Sequence, residues 1–263
     1  MTHYRFNNMT IKVPKIKLSR ILDIKDEIDT LFSKTTINLN KTFKNMDSAE
    51  VTYNAFLDYD IPPHHFMMLG DFMYITSTRS NDDNTLKKTK EVEQYIADKF
   101  NKSIKGRILL SWNENSILTE RMELLKQAMA CYDQGFYGPV VSVFATQLEG
   151  VIKQKVDKQF DQVITSDLKN IVNLLFSKKG VGSLDLTSAK YYADKVVSSN
   201  KNKPSNRHAI AHGNIANYTK EIDAIRMILI FDCIVSRLDK TDKDLLVTVL
   251  DKRKIKYKKS KRS

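Results

Sequence analysis

Three side chains suited to RNA cleavage, Arg207, His208 and His212, lie within the stretch from Pro204 to Gly213. RNA can be cut without a metal when its own 2′-hydroxyl attacks the neighbouring phosphorus, which requires a proton acceptor and a positive charge beside the phosphate oxygens. A histidine exchanges protons near neutrality, because its ordinary pKa is about 6.5. An arginine stays charged and presents a planar fork to two oxygens. We therefore predict that His212 is a general acid or base and that Arg207 is a phosphate clamp.

The spacing of these residues restricts how they can meet. On a regular helix, five positions of ~100° each place Arg207 and His212 roughly 140° apart. Gly213 can adopt a left-handed conformation that ends the helical turn directly after His212. Alternatively, two copies of the chain can face each other, with the histidine of one beside the arginine of the other. An arginine and a histidine near helix ends can also serve only to cap carbonyls or pack their stems.

The string from Asn206 to Gly213 resembles the Arg-x4-6-His signature of the HEPN superfamily, and the resemblance extends over residues 116–238. It implies a four-helix bundle that forms a homodimer, with Arg207 and His212 in a cleft between protomers. The products would be a 2′,3′-cyclic phosphate and a 5′-hydroxyl. His208 occupies a position where the family more often has asparagine or aspartate, so it could orient the arginine or share proton transfer, and Asn206 is a further supporting residue. The family commonly serves in antiphage defence, abortive infection or toxin–antitoxin pairs, which implies an antitoxin or a phage-derived trigger as partner.

Glu149 is a second candidate for this site. Together with Gln147 it interrupts an otherwise apolar helix, and many HEPN proteins carry an acidic or polar residue on the corresponding helix. A carboxylate would fix the guanidinium of Arg207, or raise the pKa of His212, if it lay beside either group. Helix periodicity alone equally allows Glu149 to face water.

Other polar groups indicate less. His64 and His65 follow Pro62-Pro63, a pattern more typical of a turn than of a metal site, because no matching ligands are near in sequence. Asp232 is expected to pair with a neighbour or to face water, and Trp112 to lie in the core or at a domain junction. No Gly-rich phosphate-binding motif is present. We therefore expect neither cofactor nor metal.

The charge of the chain is concentrated in its last residues. The net charge is +12, and eight cations occupy the last twelve positions. Such a tail attracts polyphosphates in a salt-dependent way, although it could also be a solvated tail or contact an acidic lipid surface. The residues predicted to contact RNA are Lys252, Arg253, Lys254, Lys256, Lys258 and Lys259.

Cysteine usage and hydropathy favour a soluble cytoplasmic protein. Only Cys131 and Cys233 are present, so the sequence indicates neither a disulfide framework nor a structural zinc site. The first residues lack an apolar core of signal-peptide length, and no apolar run approaches the ~18 residues of a membrane span. We therefore expect no membrane partner.

Hydrophobic periodicity predicts a mainly α-helical chain in three parts. Residues 1–113 form a smaller, mostly helical region of uncertain fold, which could sense a trigger, bind an inhibitor or select RNA. The resemblance implies that residues 114–240 form the HEPN-like four-helix bundle, and we expect residues 241–263 to form a short helix and the basic tail. The predicted helices cover residues 16–32, 87–100, 116–132, 137–158, 167–176 and 184–198, followed by a last one through Leu238. Ser116 and Thr219 are predicted N-caps, and Gly135 is a predicted helix end.

Overall fold

A computed structural model describes residues 2–6, 9–13, 55–78, 85–156, 165–177, 191–196, 207–242 and 244–246. The chain divides into two compact units, Met1–Ser48 and Ala49–Ser263. In the first unit, strands β1 (Thr2–Phe6) and β2 (Met9–Val13) pair antiparallel, with Thr2 opposite Val13 and Phe6 opposite Met9. The helix predicted over 16–32 lies outside the described residues.

In the described part of the second unit all regular elements are helices, which confirms the prediction of a mainly α fold. Shorter helical segments cover residues 55–58 and 191–196. None of the described helices combines the length and apolar character needed to cross a bilayer. The elements are α1 (Leu69–Thr78), α2 (Thr85–Lys99), a π-helical turn (Phe100–Ile104), α3 (Lys105–Asn113), a 3₁₀ helix (Ser116–Arg121), α4 (Met122–Asp133), α5 (Tyr137–Val156), α6 (Thr165–Ser177), α7 (Arg207–Ala211) and α8 (Glu221–Asp239).

Helix α8 is the centre of the second unit. Nearly all of its residues are buried, as expected of a helix that is apolar around most of its circumference. It packs mainly against α5 and also contacts α2 and α6. Trp112, Phe144 and Phe231, from α3, α5 and α8, meet with ring centroids 5.1–5.7 Å apart. The prediction that Trp112 lies in the core is thereby confirmed.

The segment before the predicted boundary at residue 113 contributes to this same core. Phe56, Ile61, Ile96 and Phe100 are buried in one cluster with the side chains of α5 and α8. The predicted boundary therefore lies inside the second compact unit. The long-range contacts that decide this cannot be inferred from hydrophobic periodicity, which shows that a face is buried but not what covers it.

The helix ends confirm some predictions and correct others. Gly135 ends the α4 region with φ +81°, as predicted; its N–H donates to the Tyr132 carbonyl at 3.0 Å. Ser116 is not the N-cap: Asn115 is, and its side chain accepts from the Ile117 N–H at 3.0 Å. Thr219 is not an N-cap either, because α8 begins at Glu221 and the residue directly before it is Lys220.

Lys220 is the N-cap residue of α8, and the cap is completed by a side chain inside the helix. The Asp223 carboxylate accepts from the Lys220 backbone N–H at 3.3 Å, while the Asp223 N–H donates to the Lys220 carbonyl at 3.1 Å. Asp223 and Glu221 also place negative charge at the positive end of the helix dipole.

Candidate active site

Helix α7 carries the Arg–His motif and packs against α5. It ends in two hydrogen bonds that define a Schellman motif: the Gly213 N–H donates to Ile210 O at 3.0 Å, and the Asn214 N–H donates to Ala209 O at 2.8 Å. Gly213 has φ +67°, the left-handed conformation predicted for it. His212 is therefore the last residue before the chain turns away.

Arg207 points into the bundle. Its side chain is only 6% exposed, and its Nε donates to the Ala145 carbonyl on α5 at 3.2 Å. Its Nη2 forms an ion pair with a carboxylate oxygen of Glu149. Burial lowers the pKa of Arg207, because the charged form has lost water. In a single copy of the chain, this guanidinium presents almost no surface to a phosphate.

Glu149 lies between a buried and a more exposed cation. Besides Arg207, it pairs with Lys153 one turn later on α5, with an N–O distance of 2.8 Å. About a quarter of its side chain is exposed. Of the two positions that helix periodicity allowed, the carboxylate takes the one beside Arg207, and it still reaches solvent at its edge.

The two motif histidines lie together on the outer side of α7. Their ring centroids are 4.4 Å apart, and the backbone N–H of His212 donates to the His208 carbonyl at 3.2 Å, which continues the helical turn. His212 is exposed and His208 is half-buried. Burial, and next the proximity of His212 and Arg207, lower the pKa of His208. The helix therefore directs a cation inward and two imidazoles outward.

The remaining predicted site residues, Asn206 and the cationic residues from Lys252 to Lys259, lie outside the described residues. Comparisons with protein-family models, with curated proteins and with solved structures return no match for the chain. The function must therefore be argued from the chemistry of the side chains themselves.

A second polar cluster was not anticipated as a site. Asp232 on α8 is completely buried and accepts from Trp112 Nε1 at 2.7 Å. Its other oxygen, Oδ2, lies 2.9 Å from His64 Nε2 and 3.5 Å from His65 Nε2. The Phe66 N–H donates to His64 Nδ1 at 3.2 Å, so the His64 proton is on Nε2 and is donated to Asp232. The cluster satisfies the expectation that Asp232 would pair with a neighbour.

The loop before these histidines is held by a further charged network. Arg226 on α8 donates to the backbone carbonyls of Tyr59 and Asp60, at 3.0 and 2.9 Å, and pairs with Glu93 at 2.8 Å. Lys195 forms an ion pair with the Asp60 carboxylate. Asp60 has φ +54°, a conformation uncommon for a residue with a side chain. No local signal in the sequence predicts these contacts, because each joins residues more than a hundred positions apart.

Proposed function

We propose that the chain is a metal-independent endoribonuclease that produces 2′,3′-cyclic phosphate and 5′-hydroxyl ends. The observation that carries the proposal is the pair of adjacent imidazoles on the outer side of α7, one exposed and one with a lowered pKa. Two histidines side by side can hold different protonation states, because charge on one disfavours charge on the other. Phosphodiester transesterification requires such a base and acid.

In the proposed reaction, neutral His208 takes the proton of the 2′-hydroxyl and protonated His212 donates a proton to the 5′-oxygen. The bond from phosphorus to O2′ forms as the bond to O5′ breaks, so no water or metal enters this step. Each proton transfer contributes roughly 10²- to 10⁴-fold to the rate. Because the pKa of His208 is lowered, activity should persist somewhat below pH 6.5 before protonation of the base stops it.

Arg207 takes a different part from the phosphate clamp suggested by the motif. Its ion pair with Glu149 fixes α7 on α5, and its charge helps to lower the pKa of His208, so it acts as a positioning residue. The charge that develops on the phosphate then needs other cations. A facing second copy would supply them in the homodimer that the resemblance of the motif implies, while the basic tail serves only to bind RNA.

The biological setting follows only from the resemblance of the motif. We propose a cytoplasmic role in antiphage defence or in a toxin–antitoxin pair, with an antitoxin or a phage-derived trigger controlling the nuclease. The tail would hold RNA near the cleft without reading its sequence, because phosphate contacts are electrostatic.

A specific observation favours a second function, a non-catalytic module that binds nucleic acid or protein. Arg207 is buried and already neutralised by Glu149, as expected of a side chain retained for packing. In this alternative, His208 and His212 would be ordinary residues at the surface of α7, and RNA would bind only through the tail.

Labelled RNA in EDTA separates the two functions. The wild-type chain is compared with His208→Ala, His212→Ala and Arg207→Ala, and with Thr146→Ala, an exposed substitution on α5 as matched control. The nuclease predicts cyclic phosphate ends, losses of about 100-fold or more in both histidine variants, and wild-type cleavage by the control. RNA binding by the wild type without cleavage would establish the alternative. Cleavage that requires a divalent ion, in a chain whose melting shows that it remains folded in EDTA, would exclude the proposed mechanism.

A further inference from the structure

The polar cluster between the loop at residues 61–66 and helix α8 has the composition of a metal site. The ligating atoms of His64, His65 and Asp232 all lie within 4.8 Å of one another. Asp232 is 168 residues from His64 in sequence, so only the fold assembles the group. We propose that these three side chains bind one divalent first-row transition-metal ion of the zinc type, at a site separate from the Arg–His motif.

The distances fit such an ion. Zinc binds histidine nitrogen and carboxylate oxygen at about 2.0–2.2 Å, which places neighbouring ligand atoms of a tetrahedron about 3.3–3.6 Å apart. The two distances from Asp232 Oδ2, 2.9 Å to His64 Nε2 and 3.5 Å to His65 Nε2, require little movement to reach those values. The same Oδ2 lies near both imidazoles, but their rings are stacked, with centroids 4.3 Å and planes 27° apart, so the exposed His65 ring must turn before one ion can contact all three groups.

The groups behind the ligands hold them in place. Trp112 Nε1 donates to the Asp232 Oδ1, which orients the carboxylate and leaves Oδ2 toward the histidines. The Tyr192 hydroxyl donates to the Pro63 carbonyl at 2.5 Å, directly before His64. Arg226 binds the carbonyls of Tyr59 and Asp60 at the start of the same loop. Partners of this kind orient metal ligands and raise the affinity of a site.

Each histidine can offer one ring nitrogen to a cation. His65 presents its Nε2 on the side of Asp232. His64 must change more, because its Nε2 proton now points to Asp232. When a metal takes that place the proton moves to Nδ1, and the hydrogen bond from the Phe66 N–H must break.

The ligand types determine which ion the site prefers, and the exposure of the ligands determines whether an ion can enter. Two imidazoles and one carboxylate suit zinc and its first-row neighbours, whereas magnesium prefers oxygen ligands and retains its water. The His65 side chain is 36% exposed, while His64 and Asp232 are fully buried. The exposed side gives an ion a route of entry and leaves a fourth position for water. Binding would tie the loop to α8 and thereby stabilise the second compact unit.

The test uses the full-length chain, stripped with EDTA and then transferred to chelator-free buffer. Zn²⁺ is titrated by calorimetry and Co²⁺ by its visible absorption, with Mg²⁺ as a control ion. The informative variant is His65→Gln, which removes a partly exposed ligand and so should leave the fold intact. The matched control is His212→Gln, because His208 and His212 are adjacent and could themselves bind a metal through two imidazoles.

The proposal predicts one equivalent of Zn²⁺ per chain, no Mg²⁺ binding, at least about tenfold weaker Zn²⁺ binding in His65→Gln, and unchanged binding in His212→Gln. The melting temperature should rise with Zn²⁺ in the wild type and in the control variant, but much less in His65→Gln. The proposal is overturned if the wild type binds no Zn²⁺, if His65→Gln binds as well as the wild type, or if only His212→Gln loses binding. The Phe66 amide resonance gives an independent readout, because its shift on Zn²⁺ addition should be absent in His65→Gln.

Discussion

Arg207 carries its charge into the bundle, where Glu149 neutralises it and the Ala145 carbonyl accepts a hydrogen bond from its Nε–H. A guanidinium buried without such partners would cost far more than the side chain gains by packing. The pair therefore explains how a motif arginine can lie inside the fold. It also makes Glu149 the residue on which the position of α7 depends.

Glu149→Gln is expected to lower the free energy of unfolding by about 1–3 kcal/mol, because it leaves a buried cation without its counter-charge. Urea unfolding monitored by circular dichroism measures this change. The matched control is Lys153→Gln, which removes the other cation paired with Glu149. It should cost only about 0.3–0.5 kcal/mol, since it breaks a partly exposed pair one helical turn apart. Equal losses in the two variants would contradict the positioning role of Arg207.

The sequence identified Glu149 as a candidate because a charged residue interrupts an apolar stripe, and a stripe shows which side of a helix is covered. The stripe does not identify which residue covers that side, so the sequence allowed the Glu149 carboxylate either to lie beside the motif or to face water. Asp232 shows the same limit more strongly. Its partners His64 and Trp112 lie 168 and 120 residues away, and nothing local distinguishes it from a surface aspartate.

At the scale of elements, α7 has only five residues, too few to be stable alone. Its position depends on packing against α5 and on the left-handed turn at Gly213. No described residue has an atom within 4 Å of the position that a Cβ would take there, so among these residues only conformational strain opposes a side chain.

Gly213→Ala is expected to destabilise the chain by about 1–2 kcal/mol, the cost of the left-handed conformation for a residue with a Cβ. Gly106→Ala is the matched control. Gly106 also has open space around it but lies inside α3 without a positive φ, so alanine should stabilise the chain by up to about 1 kcal/mol. Thermal unfolding should give opposite signs for the two variants. Shifts of the same sign would show that the turn does not hold α7.

The longer helices could be predicted because their apolar residues repeat with helical spacing over ten or more positions. Both predicted N-caps were wrong by one residue. The observed cap is Asn115 where Ser116 was predicted, and Lys220 where Thr219 was predicted. A cap depends on which backbone N–H a side chain reaches, and adjacent polar residues have similar propensities. The π-helical turn at Phe100–Ile104 left no periodic signal in the sequence that would separate it from its flanking helices.

The cationic residues of the tail and the apolar residues of the core occupy different parts of the sequence. The described residues of the second unit bury one continuous apolar cluster, whereas eight cations lie in the last twelve positions. Composition revealed this asymmetry directly. It did not reveal that residues 55–113 share the core with the helices that follow, because a buried face does not specify its partner.

Deleting residues 252–263 is expected to weaken RNA binding and to flatten its dependence on salt. Each cation that contacts a single-stranded phosphate contributes about 0.7 to the slope of log K against log salt, so loss of the eight cations should reduce the slope by at most about 6. Binding is measured by fluorescence anisotropy between 50 and 200 mM salt, and single-turnover cleavage at saturating protein should stay near the wild-type rate. An unchanged slope would remove the tail from the RNA interface.

Trp112 is the only tryptophan of the chain, and its indole N–H donates to the same carboxylate that His64 and His65 face. Intrinsic fluorescence excited at the indole band therefore comes from one position in the centre of the second unit. Its emission should shift to the red when the aromatic cluster opens, and a paramagnetic ion beside Asp232 should quench it. The protein thus contains its own optical probe of this carboxylate, and no label needs to be attached.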